Sequence, residues 1–368
     1  MEKILFSSML AGLMALGLMA QDGIFKLKGT ISDMGPIAFF ALTEVDGGVI
    51  TQETQIVTNG NLKFSYKMDC PGYLMVYGNS GMLFYIPAVP GEEVIVSGTT
   101  KDYVFDGSPL YKEYNEVVTT ARPLLENYWK YDFKQDCQGE IAGKSSEEAF
   151  DLYQSKLYEN YQPVTDAVLS FVREHADHES SMMVLGYLNY AEDIEKAAGI
   201  ISEQVLKGRM NPYYEADMKR VTRRGASNPL LHKAAPDFNL KDIDGKYLSL
   251  SSLRGNWVLL HFWSSTCGNA TSQFPVLTDC HDKYKDHVVF MGLDCEDDEA
   301  DWKSAVKNYG LNWVNVLSDY AFDDPRSPVN LYDETATPAY FLVAPSGKLA
   351  MKMGSAEEVR YIFKILFE

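Results

Sequence analysis

From Gly23 to about Gly107, apolar and polar residues alternate in steps of two within short runs. Phe25-Lys26-Leu27-Lys28-Gly29-Thr30-Ile31 does so, as do Leu62-Lys63-Phe64-Ser65-Tyr66 and Val94-Ile95-Val96. A period of two puts one face of a strand toward a core and the other toward water. Asp46-Gly47-Gly48 and Asn59-Gly60-Asn61 supply turn chemistry between the runs. The pattern predicts a small antiparallel β domain over residues 23–108. Residues 109–232 change period. Tyr111 to Leu125, Ser146 to Glu174, Ser181 to Leu206 and Pro212 to Arg223 repeat apolar residues every three or four positions, which predicts helices, and Gly225 to Lys233 reads as a linker. Over residues 233–368 the two periods alternate. Val258 to Phe262 and Val288 to Leu293 read as buried strands, Glu296 to Tyr309 as a helix, Thr337 to Val343 as a strand followed by a Pro345-Ser346-Gly347-Lys348 turn, and Ala356 onward as a last helix. Such alternation predicts a mostly parallel sheet covered by helices.

With 368 residues, 46 % of them apolar and 23 % charged, the chain has material for several cores and no segment that composition marks as disordered. A net charge of -18 excludes nonspecific binding to nucleic acid or to anionic lipid. Residues 1–20 read as an export signal: Lys3 is the positive end, Ile4 to Met19 the apolar run, and Ala20 a small residue before Gln21. Leu18 departs from the small residue preferred there, and the competing reading is a retained anchor, for which the run is short of about 20 residues. The expectation is an exported protein of the periplasm or cell envelope of a Gram-negative bacterium, with no membrane span once the signal is removed.

Five cysteines, Cys70, Cys137, Cys267, Cys280 and Cys295, are too few for a disulfide scaffold, and the odd count leaves at least one thiol unpaired within the chain. Cys70 and Cys137 are candidates for a pair. Cys267 follows the buried run ending in Phe262-Trp263 and opens a helical pattern. Unpaired N–H groups at a helix start favour thiolate, the attacking species in disulfide exchange. The tyrosines from Tyr111 to Tyr161 read as seams between helices with wet hydroxyls. His175 and His178 stand one helical turn apart and can share a metal, but no cysteine or further histidine stands beside them, so they read as an exposed face. No cofactor and no metal is expected.

Several separated segments together resemble the TlpA and AhpC/TSA branch of the thioredoxin superfamily. They are Ala235-Pro236-Asp237-Phe238, Asp244-Gly245-Lys246, Leu253-Arg254-Gly255-Asn256-Trp257-Val258, Phe262-Trp263 through Cys267-Gly268, Pro275 and Thr337-Pro338. Phe25 to Gly29, the turn at Asn59, the turn at Pro90-Gly91 and Phe105 to Ser108 resemble the β-sandwich-like domain that precedes such folds in envelope proteins of Bacteroidetes. The resemblance implies an α/β thioredoxin-like C-terminal domain, preceded by a small antiparallel β-sandwich-like domain and a helical segment. It implies a thiol-disulfide oxidoreductase with Cys267 as nucleophile, a cis Pro338 packed against it, and Thr337 offering backbone hydrogen bonds to an incoming peptide. Partners would be thiols or disulfides of exported proteins.

Three departures bear on this. Ala270 stands where the family carries its resolving cysteine, Thr266 replaces a usual aromatic residue, and Gln273 stands where a subset carries an acid. A monothiol can form a mixed disulfide but needs a second thiol to finish. Cys280, 13 residues on, would lie about 20 Å away along a continuous helix. Cys295 follows a strand parallel to the one before Cys267 and is the better candidate resolver, although an unpaired Cys295 is the simpler reading. His261 occupies the strand position where thioredoxins carry a buried acid; it reads either as a base for Cys267 or, more simply, as a neutral core histidine satisfied by backbone. The competing function is a noncatalytic binding protein using the groove beside Pro338.

Overall fold

The computed structural model describes residues 23–45, 48–79, 81–223, 228–294, 298–320, 324–334 and 337–368. The signal-like residues 1–20, Asp46-Gly47, part of the linker and Cys295 lie outside them. The chain divides into two compact units, one of residues 1–125, 164–188 and 194–217, the other of residues 126–163, 189–193 and 218–368.

In the first unit eight strands form two four-stranded sheets: β1 (Ile24–Ile31), β2 (Ile37–Glu44), β3 (Val49–Ile56), β4 (Asn61–Lys67), β5 (Gly72–Gly78), β6 (Gly81–Ala88), β7 (Glu93–Gly98) and β8 (Tyr103–Gly107). Their orders are β4-β1-β7-β8 and β3-β2-β5-β6. The period of two in β1 does what its spacing predicts, burying Phe25 and Leu27 while Lys26 and Lys28 stay exposed. Between the sheets Phe40 of β2 stacks on Phe64 of β4 with ring centroids 5.3 Å apart. One pairing differs from the antiparallel expectation: β1 and β7 run parallel. The cause is that the chain shuttles between sheets, so β7 reaches the free side of β1 after two excursions and arrives in the same direction.

The helical segment begins with α1 (Pro109–Lys130) and α2 (Ser146–Glu174). The run predicted as one helix from Ser181 to Leu206 is broken into Ser180–Met183, a 3-10 turn at Leu185–Tyr187, α3 (Ala191–Ile200) and Glu203–Leu206, with Leu188 extended at φ -89, ψ 131. α4 follows (Asn211–Arg223). One of the tyrosines read as wet is not: Tyr111 donates to the Pro87 carbonyl at 2.6 Å. Tyr213 of α4 likewise donates to the carbonyls of Gly72 at 2.7 Å and Ala88 at 3.2 Å. Buried hydroxyls must be paired, and carbonyls of the β unit are their partners here.

The second unit holds β9 (Asn239–Asp242), β10 (Tyr247–Ser249), β11 (Trp257–Trp263), α5 (Gly268–Thr271), α6 (Phe274–Tyr284), β12 (Val288–Asp294), α7 (Glu299–Tyr309), β13 (Val314–Leu317), β14 (Ala339–Val343), β15 (Leu349–Met353) and α8 (Ala356–Phe367). Its seven-stranded sheet has the order β10-β9-β13-β12-β11-β14-β15. β11 is parallel to β12 and antiparallel to β14. All seven residues of β11 are buried, because the sheet is covered on both faces. Trp257, Leu259 and Trp263 enter one apolar cluster with Phe274, Leu277 and Phe363. Val258, Leu260 and Phe262 enter the other with Phe341 and Tyr332. Helical residues 126–163 of this unit join the first cluster through Phe133, Phe150 and Tyr153.

Gly292 of β12 lies opposite His261. A Cβ there would stand 2.6 Å from Asn315 Oδ1 and 3.1 and 3.2 Å from the indole nitrogens of Trp263 and Trp313. Gly292→Ala should therefore destabilise the unit by about 1–3 kcal/mol through overpacking. Urea unfolding followed by tryptophan fluorescence measures this, and an unshifted midpoint would mean that these indoles move aside at no cost.

Candidate active site

β11 ends at Trp263, and the next residues turn sharply. Ser264 is buried, its Oγ lies 2.8 Å from Thr266 Oγ1, and it accepts from the Thr266 amide at 3.3 Å. The Cys267 amide donates to the Ser264 carbonyl at 3.2 Å. This small hydroxyl network holds the loop so that Cys267 becomes the extended residue capping α5, at φ -84 and ψ 99. The side chain is half-buried.

The helix predicted to continue from Cys267 is interrupted. α5 stops at Thr271 and α6 starts at Phe274, with Pro275 in its first turn. Proline has no N–H to give to a preceding turn and fits the start of a helix. Ala270 is fully buried and belongs to the core beneath the turn. Cys280 is 1 % exposed on α6, where burial pushes its thiol up to about 11.

The Thr337–Pro338 peptide bond is cis. The Cys267 thiol donates to the Thr337 carbonyl at 3.4 Å, so the cysteine and this bend meet across 70 residues of sequence. Beside them is a pocket of about 220 Å³ lined by Asn269, Glu334, Thr337, Pro338, Lys352 and Met353 among others. Lys352 and Glu334 form an ion pair at 2.6 Å with side chains only 7 % and 8 % exposed. Sequence reading missed this pair. Neither residue lies in a motif, and only the pairing of β14 with β15 carries Lys352 to the bend.

His261 points to the face of β11 opposite that of Phe262. It faces Tyr340 directly across the β11–β14 ladder, and the two rings stack with centroids 4.8 Å apart and planes at 4°. Phe274 meets the imidazole edge-on at 5.8 Å. The expected backbone partner is missing: neither ring nitrogen has a hydrogen-bond partner among the described residues. The reason is that strand backbone is engaged in the ladders and the rings of Tyr340 and Phe274 pack against the imidazole. Burial pushes the imidazole down to about 3.

Tyr340 connects this wall to the turn. Its hydroxyl donates to Gln273 Oε1 at 3.0 Å, and the same oxygen accepts from the Ala356 amide at 2.7 Å. Burial raises the Tyr340 hydroxyl well above its ordinary range, and charge on the nearby Cys267 sulfur acts in the same direction. Gln273 therefore ties α6 to β14 and to the start of α8. Of the residues singled out from sequence, the structure brings Cys267, Thr337 and Pro338 together. His261 lies behind them under Tyr340, Cys280 is buried on α6, and Cys70 and Cys137 are each free thiols. Cys295 lies outside the described residues.

The buried imidazole sets a pH dependence. Unfolded, it takes a proton near pH 6.5; folded, it resists protonation down to about 3. The unfolded chain thus binds more protons across that window, and stability falls as pH drops from 6.5 toward 3. By about pH 4.5 this one group should cost about 2–3 kcal/mol, and His261→Leu should remove that share of the acid sensitivity. Urea midpoints of both proteins at neutral and acid pH measure it, and parallel acid losses would refute it.

Residues 231–352 match the model of the AhpC/TSA family. The chain is 31 % identical over 116 residues to the thiol-disulfide oxidoreductase ResA of Bacillus subtilis, an alignment covering 31 % of this chain and 62 % of that protein. The match thus spans less than two thirds of that relative. With the ResA of Bacillus cereus it shares 30 % identity over 122 residues, 33 % of this chain and 68 % of the relative. Among solved structures it is similar to the thioredoxin domain of a thiol-disulfide oxidoreductase from Bacteroides vulgatus, at 26 % identity and a TM-score of 0.34, covering 37 % of this chain and 97 % of that one. With its cysteine-bearing turn after a central buried strand and its Thr-Pro bend opposite, this chain belongs to the AhpC/TSA family of thioredoxin-like proteins and, within it, to the thiol-disulfide oxidoreductase-like group.

Proposed function

We propose that this protein exchanges disulfides as a monothiol through Cys267. The observation that carries the reading is the placement of one half-buried sulfur on the turn after β11, 3.4 Å from the Thr337 carbonyl and beside an open pocket. In the proposed reaction the Cys267 thiolate attacks one sulfur of a substrate disulfide. A new S–S bond joins Cys267 to that sulfur while the substrate's own S–S bond breaks, and the departing sulfur leaves as a thiolate that takes a proton from water. The Thr337 backbone pairs with the extended substrate segment, and Pro338 shapes the surface on which it lies. A second thiol then attacks the mixed disulfide and releases Cys267.

Ala270 has no sulfur with which to make that second attack. The thiol must come from the substrate, from a small thiol, or from Cys295. His261 has no part in proton transfer in this scheme, since its nitrogens meet neither donor nor acceptor among the described residues and its ring stays neutral. Substrates would be thiols or disulfides of exported proteins, in the periplasm or cell envelope, in keeping with the apolar segment at residues 1–20. Among the described residues no helix is long and apolar enough to cross a membrane.

Cys267→Ser should reduce disulfide exchange to background and abolish covalent capture of substrate proteins. Rapid alkylation of Cys267 at neutral pH should accompany activity in the unaltered chain; a thiol that reacts like a free peptide cysteine and captures nothing would overturn the reading. Ala270→Cys adds a sulfur one helical turn from Cys267, near the separation a disulfide needs. It should confer insulin reduction in the presence of dithiothreitol. Substrate capture that survives Cys267→Ser would favour a noncatalytic binding groove.

A further inference from the structure

We propose that Glu113, His175 and His178 bind a divalent transition-metal ion of the zinc class, with Glu116 as a fourth donor. One ligand atom from each of the first three lies within 4.8 Å of the others. Two ligands 2.0–2.1 Å from a tetrahedral ion lie about 3.3 Å apart, so small rotamer changes close the site. His178 Nδ1 is 3.0 Å from Glu113 Oε1, a hydrogen bond whose proton passes to solvent when an ion takes its place, and His175 Nε2 is 3.8 Å from Glu116 Oε2. Glu113 and Glu116 are one turn apart on α1, whereas the histidines stand just beyond the end of α2, all within the first unit. The site is independent of the thiol chemistry proposed above.

The surroundings orient these donors. His175 Nδ1 lies 3.1 Å from the Phe171 carbonyl. A carbonyl only accepts, so Nδ1 carries the proton and Nε2 presents a lone pair toward the carboxylates. Metal-binding histidines characteristically use their second nitrogen in this way. The His175 ring is also fixed by stacking on Phe171 at 4.1 Å. Ser180, fully buried, donates to Glu113 Oε2 at 2.6 Å, which leaves Oε1 for His178. Ser181 Oγ donates to the His175 carbonyl at 2.7 Å, and the His178 amide donates to it at 2.9 Å, holding the turn that carries both imidazoles. Two imidazole nitrogens and two carboxylates form a nitrogen and oxygen donor set that suits zinc, and more generally first-row divalent ions. The His178 side chain is 53 % exposed, so an ion can enter from solvent.

Isothermal titration of the full chain with ZnCl2 should reveal one site that His178→Ala weakens by more than about 10-fold, with the variant's far-UV circular dichroism unchanged. Glu113→Gln should weaken it as well. Zinc held instead by the Cys267 thiol would bind His178→Ala and the unaltered chain alike, and that result, or no binding, would overturn the proposal. If His178→Ala does not fold, cobalt substitution of the unaltered chain decides: visible d–d bands without a sulfur-to-cobalt charge-transfer band support the site. Such a charge-transfer band, or no d–d bands, refutes it.

Discussion

The burial of β11 on both faces organises the thioredoxin-like unit. Each of its seven residues is removed from water, so the sheet must be covered by apolar material above and below, and the pleat decides which residue joins which core. β12 pairs with it in parallel along its whole length, and β14 pairs antiparallel with Val258 to Phe262 on the other side. The C-terminal end of the strand therefore has a fixed position relative to the start of β14. Cys267 follows the first and Thr337-Pro338 precedes the second, so their meeting follows from the ladder.

The same pleat explains His261. An odd position on β11 places it with Trp257, Leu259 and Trp263, and the register sets Tyr340 directly opposite. Hydrophobic packing accepts an imidazole there only in its neutral form. Tyr340 then hands the constraint forward to Gln273, whose single carbonyl oxygen receives both a phenol and a backbone amide. A neutral acceptor suffices at this position. Behind the Cys267 turn lies a packed and largely uncharged wall. Among the described residues that line the pocket, the charged ones are Lys352 and Glu334, paired with each other. Burying two charges costs desolvation energy that their attraction only partly offsets, so the pair is weak evidence for stability, but it gives the pocket wall a definite polarity.

The scaffold accommodates alanine at position 270. Ala270 is fully buried and packs in the same core as Phe274 and Leu277. The small apolar side chain is thus compatible with a well-packed helix start. Residues 267–270 therefore hold one sulfur, that of Cys267, and no local dithiol.

Local pattern was sufficient for much of the fold. The limits of α2 and the start of α8 follow from three- and four-residue spacing, β1 from alternation, and β11 from an unbroken apolar run, because each depends on which side of one element faces the core. Cys267, the Thr-Pro bend and Ala270 were legible as sequence for the same reason: each is a local feature in an ordered set of segments. Other features required the third dimension. The parallel β1–β7 pair depends on how strands are shared between two sheets, the break between α5 and α6 on where Pro275 falls in a turn, and the solvation of His261 on a ring one strand away. Lys352 and Glu334, or Glu113 beside His178, are polar residues at unremarkable positions whose partners are distant in sequence. Periodicity reports only whether a side chain faces in or out; which residues then share a site is decided by strand register and helix packing.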